Sequence, residues 1–555
     1  MATELSVTHE RLDDIPVIFG MARKLGLPEV LDEALGRHGN QEGLSYGWLA
    51  TIWLAYMLAE GDHRKSVVEE WAQRKKVLLS MLTGQTVRDH ELSDDRLGQL
   101  LSRLSDPQRW DAIERSLWSR SALAYQLDCR RVRLDSTTSY GYHEVGEEGL
   151  MQLGHSKDHR PDKPQLKLMV AVAEPAGQML CSTVHPGHRA DDGLYEPMIE
   201  RVRQIAGTGL LYIGDAKMAA QATREAVVAG GDHYLTRLPK VAQKGEMDRW
   251  IGRALDGDAK LEIIHAEDGS QLGEGYGFNR EVTGTTATWT ERVIVYRSDA
   301  LAERHRTRLQ IRLQEATAAL LALTPPVGRG RRQFRSVQEL TEAIDRIEAK
   351  HQVRGLLWLT WETEPWPTRD EPDRVRFVVT AAESRVKQIE VVSRGFGWQA
   401  LVTSMPVEAL ATADAVPVYN AGWQIEQQFR DIKNRPLGIR PLHVTREDQI
   451  IGLTHLVTLA LRIMTLIATT VRRSLARTGE VLHGLYEGQK VRTTAQPTGR
   501  RLLKAFHRHE ITLTRIRAPG QDLVHVAPLP PALSAILKHL GLSDALYTDL
   551  AVAAK

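Results

Sequence analysis

Three carboxylates stand where acids could carry out chemistry on a phosphate ester. Asp135 falls in Leu134-Asp135-Ser136-Thr137-Thr138, a run with strand character in which Leu134 and Ser136 point to the opposite face of the sheet. Asp215 follows Gly214 at the end of a short apolar segment, Leu210 to Ile213, that reads as a buried strand. Glu426 lies within Tyr419 to Lys433, which has helical character, with Tyr419 seven residues before it and Arg430 and Lys433 four and seven after it. At about 100° per residue all three fall near the Glu426 face of a helix. Clustered bare carboxylates repel, and one takes up a proton unless a positive charge compensates. Two divalent cations about 3.5–4 Å apart would supply that charge, activate an attacking hydroxyl and stabilise the leaving oxygen of an in-line displacement at phosphorus. Oxygen ligands favour Mg²⁺, with Mn²⁺ as a substitute.

Taken singly, each acid says little. The chain has 70 Asp and Glu residues, and Glu426 with Arg430 is also an ordinary i,i+4 surface pair. Asp135 and Asp215 say more, because a buried unpaired carboxylate is costly and normally has a partner or a metal.

The elements that must position these acids change character along the chain. From Arg11 to Leu127 the pattern is helical, with breaks at Gly26 to Pro28, Gly39 to Gly43 and Gly84, and a helix start at Ser93-Asp94-Asp95. Short helices with tight breaks suit a helix-turn-helix module or plain helix packing. Arg64, Lys65, Arg74, Lys75 and Lys76 read either as a DNA face or as a solvated one. A strand around Arg131 to Thr138 is followed by a hairpin, Leu166 to Ala173 and Met179 to Val184, turning at Pro175-Ala176-Gly177. Then come a helix over Leu194 to Ile205, the Asp215 strand, a helix over Met218 to Val228 and a strand over His233 to Thr236. In a central sheet of this order the first and fourth strands are candidate neighbours, which would set Asp135 and Asp215 side by side at one end of the sheet.

Lys240 to Arg394 breaks the alternation. It offers strand-like Leu261 to His265 and Arg292 to Tyr296, then helical Ala300 to Leu323 and Val337 to Lys350 around a turn at Pro325 to Gly330. The apolar run Ile450 to Thr470 is interrupted by Thr454, His455 and Arg462 and reads as a buried helix, so no membrane span is expected.

Composition narrows the class. At 555 residues the chain exceeds the usual size of a single core, and 42% apolar with 26% charged residues is ordinary for a globular protein. Lys and Arg total 72 against 70 acids, so any DNA surface must come from local segregation of charge. Cys129 and Cys181 lack CxxC spacing, which removes a disulfide framework and a thiolate zinc site, and His185 and His188 read as loop residues beside the active site. Neither a P-loop nor a Gly-x-Ser-x-Gly elbow occurs. Basic clusters lie at Gly328 to Arg332 and at Arg500, Arg501, Lys504, Arg508, Arg515 and Arg517; both suit phosphate or solvent. The N-terminus, MATELSVTHERLDD, lacks the features of a secretion signal.

Tyr419, Glu426 and Lys433 match the spacing of a Y-x2-R-x3-E-x6-K signature, and here the sequence resembles the DDE insertion-sequence transposases that carry it. The Arg position holds Gly422, so its phosphate contact would pass to Arg430 or Arg440. The segment Gly154-His155-Ser156-Lys157-Asp158 through Gln165, the stretch Leu92 to Gly98, and Arg440-Pro441-Leu442-His443 are similar to features of the same group. The resemblance implies an α/β fold with a ribonuclease-H-like mixed sheet core, a helical N-terminal region and an inserted mixed α+β domain. It divides the chain into a DNA-binding region at 1–127, a catalytic core at 128–239 and 395–474, an insertion at 240–394 and a basic region at 475–555.

It further implies Asp135, Asp215 and Glu426 as catalytic metal ligands for two Mg²⁺ ions, and Tyr419, Arg430, Lys433 and Arg440 as DNA contacts. The partners would be double-stranded DNA, as terminal inverted repeats and target, and a second copy in a homodimer on DNA; the location would be cytoplasmic and nucleoid-associated. The implied reaction is cut-and-paste movement, in which water cleaves a strand and the freed 3′-hydroxyl attacks DNA, with a hairpin intermediate suggested by the insertion. Trp358, Trp361 and Trp366 would stack there on an unpaired base or else pack in a core. Two rivals remain: a metal-dependent nuclease without strand transfer, and a catalytically inactive DNA-binding protein.

Overall fold

The computed structural model describes residues 5–36, 42–239, 244–328, 330–331, 333–489, 491–518 and 521–553. Gly39, Lys240, Arg329 and Arg332, all invoked above, lie outside the described residues. The chain divides into two compact units, Met1–Tyr234 with Ala421–Lys555, and Leu235–Asn420.

The first unit opens with strand β1 (Ser6–Arg11) and seven helices: α1 (Ile15–Leu25), α2 (Leu27–Leu35), α3 (Tyr46–Glu60), α4 (Val68–Arg74), α5 (Lys76–Thr83), α6 (Asp94–Leu104) and α7 (Pro107–Tyr125). Their ends follow local chemistry. Gly26, at φ +69°, terminates α1; the Ser45 hydroxyl accepts from Trp48 N–H to start α3, and the Asp106 carboxylate accepts from Gln108 and Arg109 N–H to start α7. Helix α3 is buried on every side from Tyr46 to Leu58, as a helix apolar all round must be.

The sheet of this unit contains β2 (Arg131–Tyr140), β3 (Gln165–Glu174), β4 (Gln178–Pro186) and β5 (Leu211–Gly214) in the order β4-β3-β2-β5. The first three are antiparallel and β5 runs parallel to β2. Helices α8 (Tyr195–Ala206) and α9 (Gln221–Ala229) flank β5 in the chain, and β6 (His233–Arg237) follows. Three antiparallel strands with a parallel fourth beside the first is the ribonuclease-H-like arrangement expected from the sequence. His185 is a strand residue, not a loop residue: it sits near the end of β4 with its imidazole against the Thr183 hydroxyl.

In the second unit α10 (Lys244–Leu255), β7 (Glu262–His265), β8 (Gln271–Thr283), β9 (Thr288–Ser298), α11 (Asp299–Leu321), α12 (Val337–His351), β10 (Leu357–Pro365), β11 (Val375–Ser384), α13 (Val386–Arg394), β12 (Trp398–Thr403) and α14 (Thr412–Asn420) follow in order. Strands β6, β12, β9, β8 and β7 lie side by side, each pair antiparallel. The α11–α12 hairpin packs Leu313, Leu320, Leu340 and Ile344 into a small core with Val379 of β11. Strands β8, β10 and β11 were not read from the sequence. Much of β8 is glycine-bearing or charged and alternates in exposure, and most of β10 is exposed, so neither shows a buried-strand pattern. Trp358 and Trp361 are exposed on β10 and Trp366 lies under the Arg374 guanidinium at 3.7 Å, so Trp358 and Trp361 are not core residues.

The first unit resumes with α15 (Trp423–Lys433), α16 (Glu447–Thr478), α17 (Gly499–Arg508), β13 (Thr512–Ala518), β14 (Gln521–Val526), α18 (Pro531–Leu540), α19 (Ala545–Thr548) and α20 (Leu550–Ala553). Strand β1 pairs antiparallel with β13, Ser6 opposite Arg517 and Arg11 opposite Thr512, so the two ends of the chain close one three-stranded sheet.

Helix α16 is the spine of the unit. It is long and apolar enough to cross a membrane, yet 89% of its most apolar stretch is buried within the fold, against helices such as α3, α6 and α18. Gly452 allows the approach to α6: a Cβ there would lie 2.0 Å from the Leu101 carbonyl oxygen. His455 stacks on Trp110 at 4.0 Å and its Nδ1 meets the Leu104 carbonyl, with burial holding its pKa down at about 3, so the neutral ring donates. About two turns further, buried Arg462 donates to the Leu180 carbonyl and to Glu114 of α7, which also accepts from Arg201 and the Ser182 hydroxyl. Burial raises the Glu114 pKa, but two guanidiniums oppose the rise. The charge cluster thereby pins α16, α7, α8 and β4 in one register.

Candidate active site

Asp135 sits mid-strand on β2, and its level is shared with Asp215. The parallel ladder pairs Arg131 with Leu211, Val132 with Tyr212 and Arg133 with Ile213, and continuing it by two residues reaches Asp135 and Asp215. The proximity registers in the chemistry: burial raises the Asp135 pKa, Lys157 opposes this, and the Asp215 charge adds to the rise.

Each acid is held from one side. Asp135 Oδ1 accepts from its own neighbour's Ser136 N–H at 2.7 Å and faces Lys157 Nζ at 3.4 Å. Asp215 Oδ1 accepts from Lys217 N–H at 2.9 Å and from the hydroxyl of buried Tyr195, at the start of α8, at 2.8 Å. Burial and the Asp215 charge push the Tyr195 phenol pKa upward, so it stays a donor. Lys157 also donates to the Ser136 carbonyl at 2.6 Å and lies 3.8 Å from Asp191, which accepts from Lys167 at 2.7 Å and from the Ser136 hydroxyl at 2.9 Å. Burial opposes ionisation of Asp191, yet the Lys167 hydrogen bond and the Lys157 charge outweigh it and lower its pKa.

The Glu426 helix runs alongside β2. Gly422, just before α15, lies against Arg133 of β2: a Cβ there would sit 3.3 Å from Arg133 Nη1. Arg133 itself is ion-paired with Glu174 of β3. At the other end of α15, Lys433 Nζ donates to Asp158 at 2.6 Å, and the adjacent Lys157 N–H donates to Thr138 of β2 at 3.0 Å. Helix and strand therefore run the same way. Four residues of helix rise about 6 Å and two of strand about 6.6 Å, so Glu426 comes level with Asp135. The Glu426 side chain is exposed, and among the described residues no group of three His, Cys, Asp or Glu side chains comes close enough to hold a metal ion. Thus Asp215 lies near enough for its charge to act on Asp135, while Glu426 sits on α15, which packs along β2, and joins them in no three-ligand group among the described residues. An all-oxygen donor pair whose charges repel fits a hard divalent cation.

The expected DNA contacts part company. Tyr419 belongs to α14, which ends at Asn420, and the turn at Ala421 and Gly422 separates it from α15; the single helix over Tyr419 to Lys433 does not form. Lys433 and Arg440 both donate to Asp158 Oδ1, at 2.6 and 2.8 Å, and the Asp158 side chain is 1% exposed. Burial lowers the Lys433 pKa against the pull of Asp158. Arg430 is exposed on α15. Of the site's residues, Tyr195 and Asp191 were not singled out from the sequence. Neither carries a local signal, since each is defined by a partner far away in the chain.

A family model described as a transposase DDE domain matches residues 130–463, well over half of the chain and a span that includes Asp135, Asp215 and Glu426. The chain belongs to the DDE transposase family. A domain of unknown function (DUF4277) matches residues 7–113 of the transposase, the helical region before the sheet. No curated protein matches its sequence. Among solved structures it is similar to a piggyBac transposase in a cryo-EM synaptic complex with hairpin DNA, at 7% identity, over 91% of this chain and 82% of that one, with a TM-score of 0.33. That score is too low to bear on the transposase's own fold or chemistry.

The cations of the helical region are already matched by neighbours. Arg64 pairs with Asp62, Lys65 with Asp94, Arg74 with Glu70 and Lys76 with Asp89, while Lys75 donates to the Arg11 carbonyl. Helices α1 to α7 contribute to the same apolar core as α16.

Proposed function

We propose that this transposase binds the terminal inverted repeats of an insertion sequence, cleaves DNA strands and joins the 3′-hydroxyl ends to target DNA. The observation that carries the reading is that Asp135 in β2 and Asp215, the residue after β5, come to one level where the parallel β2–β5 ladder is extended, with Glu426 on the helix that packs along β2. In this reading Asp135, Asp215 and Glu426 would hold two Mg²⁺ ions, for which Mn²⁺ would substitute, and the ions would supply activation of the attacking oxygen and stabilisation of the leaving one. Lys157 neutralises Asp135 and Asp191 in their absence from its side, and Tyr195 orients Asp215. Arg430, exposed on α15, contacts the DNA backbone, with Lys433 and Arg440 beside it on Asp158 to set the scissile phosphate.

Residues 128–239 and 395–474 form the catalytic core in this proposal, 240–394 the insertion, 1–127 a DNA-binding region and 475–555 a basic end that supports a homodimer on DNA in the nucleoid. A joining reaction with pre-cut ends and target DNA tests it. Parent protein with Mg²⁺ yields strand-transfer product, while Asp135→Asn, Asp215→Asn and Glu426→Gln bind DNA and yield none. Cleavage without joining by the parent would assign it to the nucleases, and unchanged behaviour of all three variants would make it a binding protein only.

A further inference from the structure

Helix α17 turns its buried face, Leu502, Leu503, Ala505 and Phe506, inward and its cations outward. Between it and α15 lies a cavity of about 370 Å³ whose charged lining is Arg500, Arg501, Lys504 and Arg508 against the single acid Glu487, with Gln427 of α15 and Tyr486 beside them. The guanidiniums of Arg492 and Arg501 flank the Tyr486 ring at 4.0 and 4.1 Å, which restricts them with no anion used. Arg508 is anchored on the Gly484 and Leu485 carbonyls, each at 3.2 Å.

The countercharge is what sets this cleft apart. Among the described residues Arg430, Arg500 and Arg501 have no acidic side chain within 4.0 Å, and the partner of Lys504 is Glu487 at 3.7 Å, both exposed. Such an exposed pair contributes little. Asp431 lies near Arg500 and Arg430, but burial raises its pKa and its Oδ1 is taken by Gln427 at 2.9 Å. Elsewhere, as around α4 and α5, cations are matched one by one. Like charges gathered in excess of the one exposed acid repel, and an anion with regularly spaced charges relieves them. The cleft opens next to the site helix, since Gln427 follows Glu426 and Arg430 is one turn on.

We propose that the cleft between α15 and α17 holds the phosphate backbone of duplex DNA where it leaves the active site, with Arg500, Arg501 and Lys504 as phosphate ligands. The proposal rests on the reading of the protein as a DNA transposase.

The test is duplex binding by the full-length protein, followed by fluorescence anisotropy across a salt series. Replacing Arg500, Arg501 and Lys504 with Gln together is expected to make the slope of log K against log salt shallower by about 0.9 per lost contact. The conservative variants Arg500→Lys and Arg501→Lys are expected to keep the parent slope, and so is a control carrying Arg64→Gln, Arg74→Gln and Lys76→Gln. A triple variant that melts like the parent and keeps its slope overturns the cleft while leaving the transposase reading intact. An equal loss in the control also overturns it, because net charge would then be the cause. A parent protein with no salt-dependent duplex binding sinks both readings.

Discussion

Asp215 follows Asp135 by the same 80 residues that separate Arg131 from its ladder partner Leu211, so Asp135 in β2 and Asp215, the residue after β5, come to one level where the parallel ladder is extended. Parallel pairing fixes this level without any contact between the acids themselves. The cost of the arrangement falls on Asp135, whose pKa is raised by burial and by the neighbouring charge against the pull of Lys157.

That cost has a sign. A carboxyl whose folded pKa lies above its unfolded value stabilises the fold fully only below the unfolded value, near pH 4, and loses that contribution as pH rises through the folded one. Asp135→Asn is therefore expected to be more stable than the parent at neutral pH, with the gain vanishing toward pH 4. Urea midpoints across pH measure it; equal midpoints at every pH would count against a charged, half-buried Asp135 beside the exposed Asp215. Adding Mg²⁺ is expected to stabilise the parent at neutral pH and not the variant.

Tyr195 offers a finer probe, because only its hydroxyl is in question. Hydrogen bonds to charged groups contribute about 1.5–3 kcal/mol, so Tyr195→Phe is expected to slow strand cleavage roughly ten- to hundredfold. Duplex affinity should not change, and the Mg²⁺ concentration for half-maximal cleavage should rise. A variant with parent-like cleavage and metal dependence would remove Tyr195 from the site.

Asp158 holds two cations with one buried carboxylate, which makes its removal worse than the removal of either partner. Asp158→Ala leaves Lys433 and Arg440 facing each other and is expected to destabilise by about 3 kcal/mol or more. Lys433→Ala keeps the Arg440 pair and should cost less in stability while weakening end positioning. Chemical denaturation of the two variants ranks them; the reverse order would refute the shared clamp.

Gly452 tests the spine. Because a Cβ would meet the Leu101 carbonyl oxygen at 2.0 Å, Gly452→Ala forces α16 away from α6. The expected loss is on the order of 1–3 kcal/mol, despite the better helix propensity of alanine. A variant as stable as the parent would show that the two helices have room to separate.

Local pattern was enough for the elements whose burial is one-sided or complete. The strands carrying Asp135 and Asp215, the β3–β4 hairpin, helices α11 and α12 and the apolar α16 were all legible, because hydrophobic period reports the face turned to a core. The order of strands and helices also suggested the first and fourth strands as neighbours, with the two aspartates side by side; that these strands run parallel is seen in the structure. Strands β8, β10 and β11 escaped: β8 interleaves glycines and charges, β10 is mostly exposed and β11 is buried only at Arg376 and Val379, so none presents a continuous buried apolar face.

Tertiary structure alone decided which charges meet. A helical period across Tyr419 to Lys433 cannot show that the chain turns at Ala421 and Gly422, and a lysine seven residues after a glutamate does not reveal that its ammonium goes to Asp158, 275 residues earlier. The same holds for Tyr195 on Asp215, and for the pairing of β1 with β13 at opposite ends of the chain. Periodicity is set by each segment's own burial, whereas an ion pair or a ladder depends on where two distant segments are brought by the packing of everything between them.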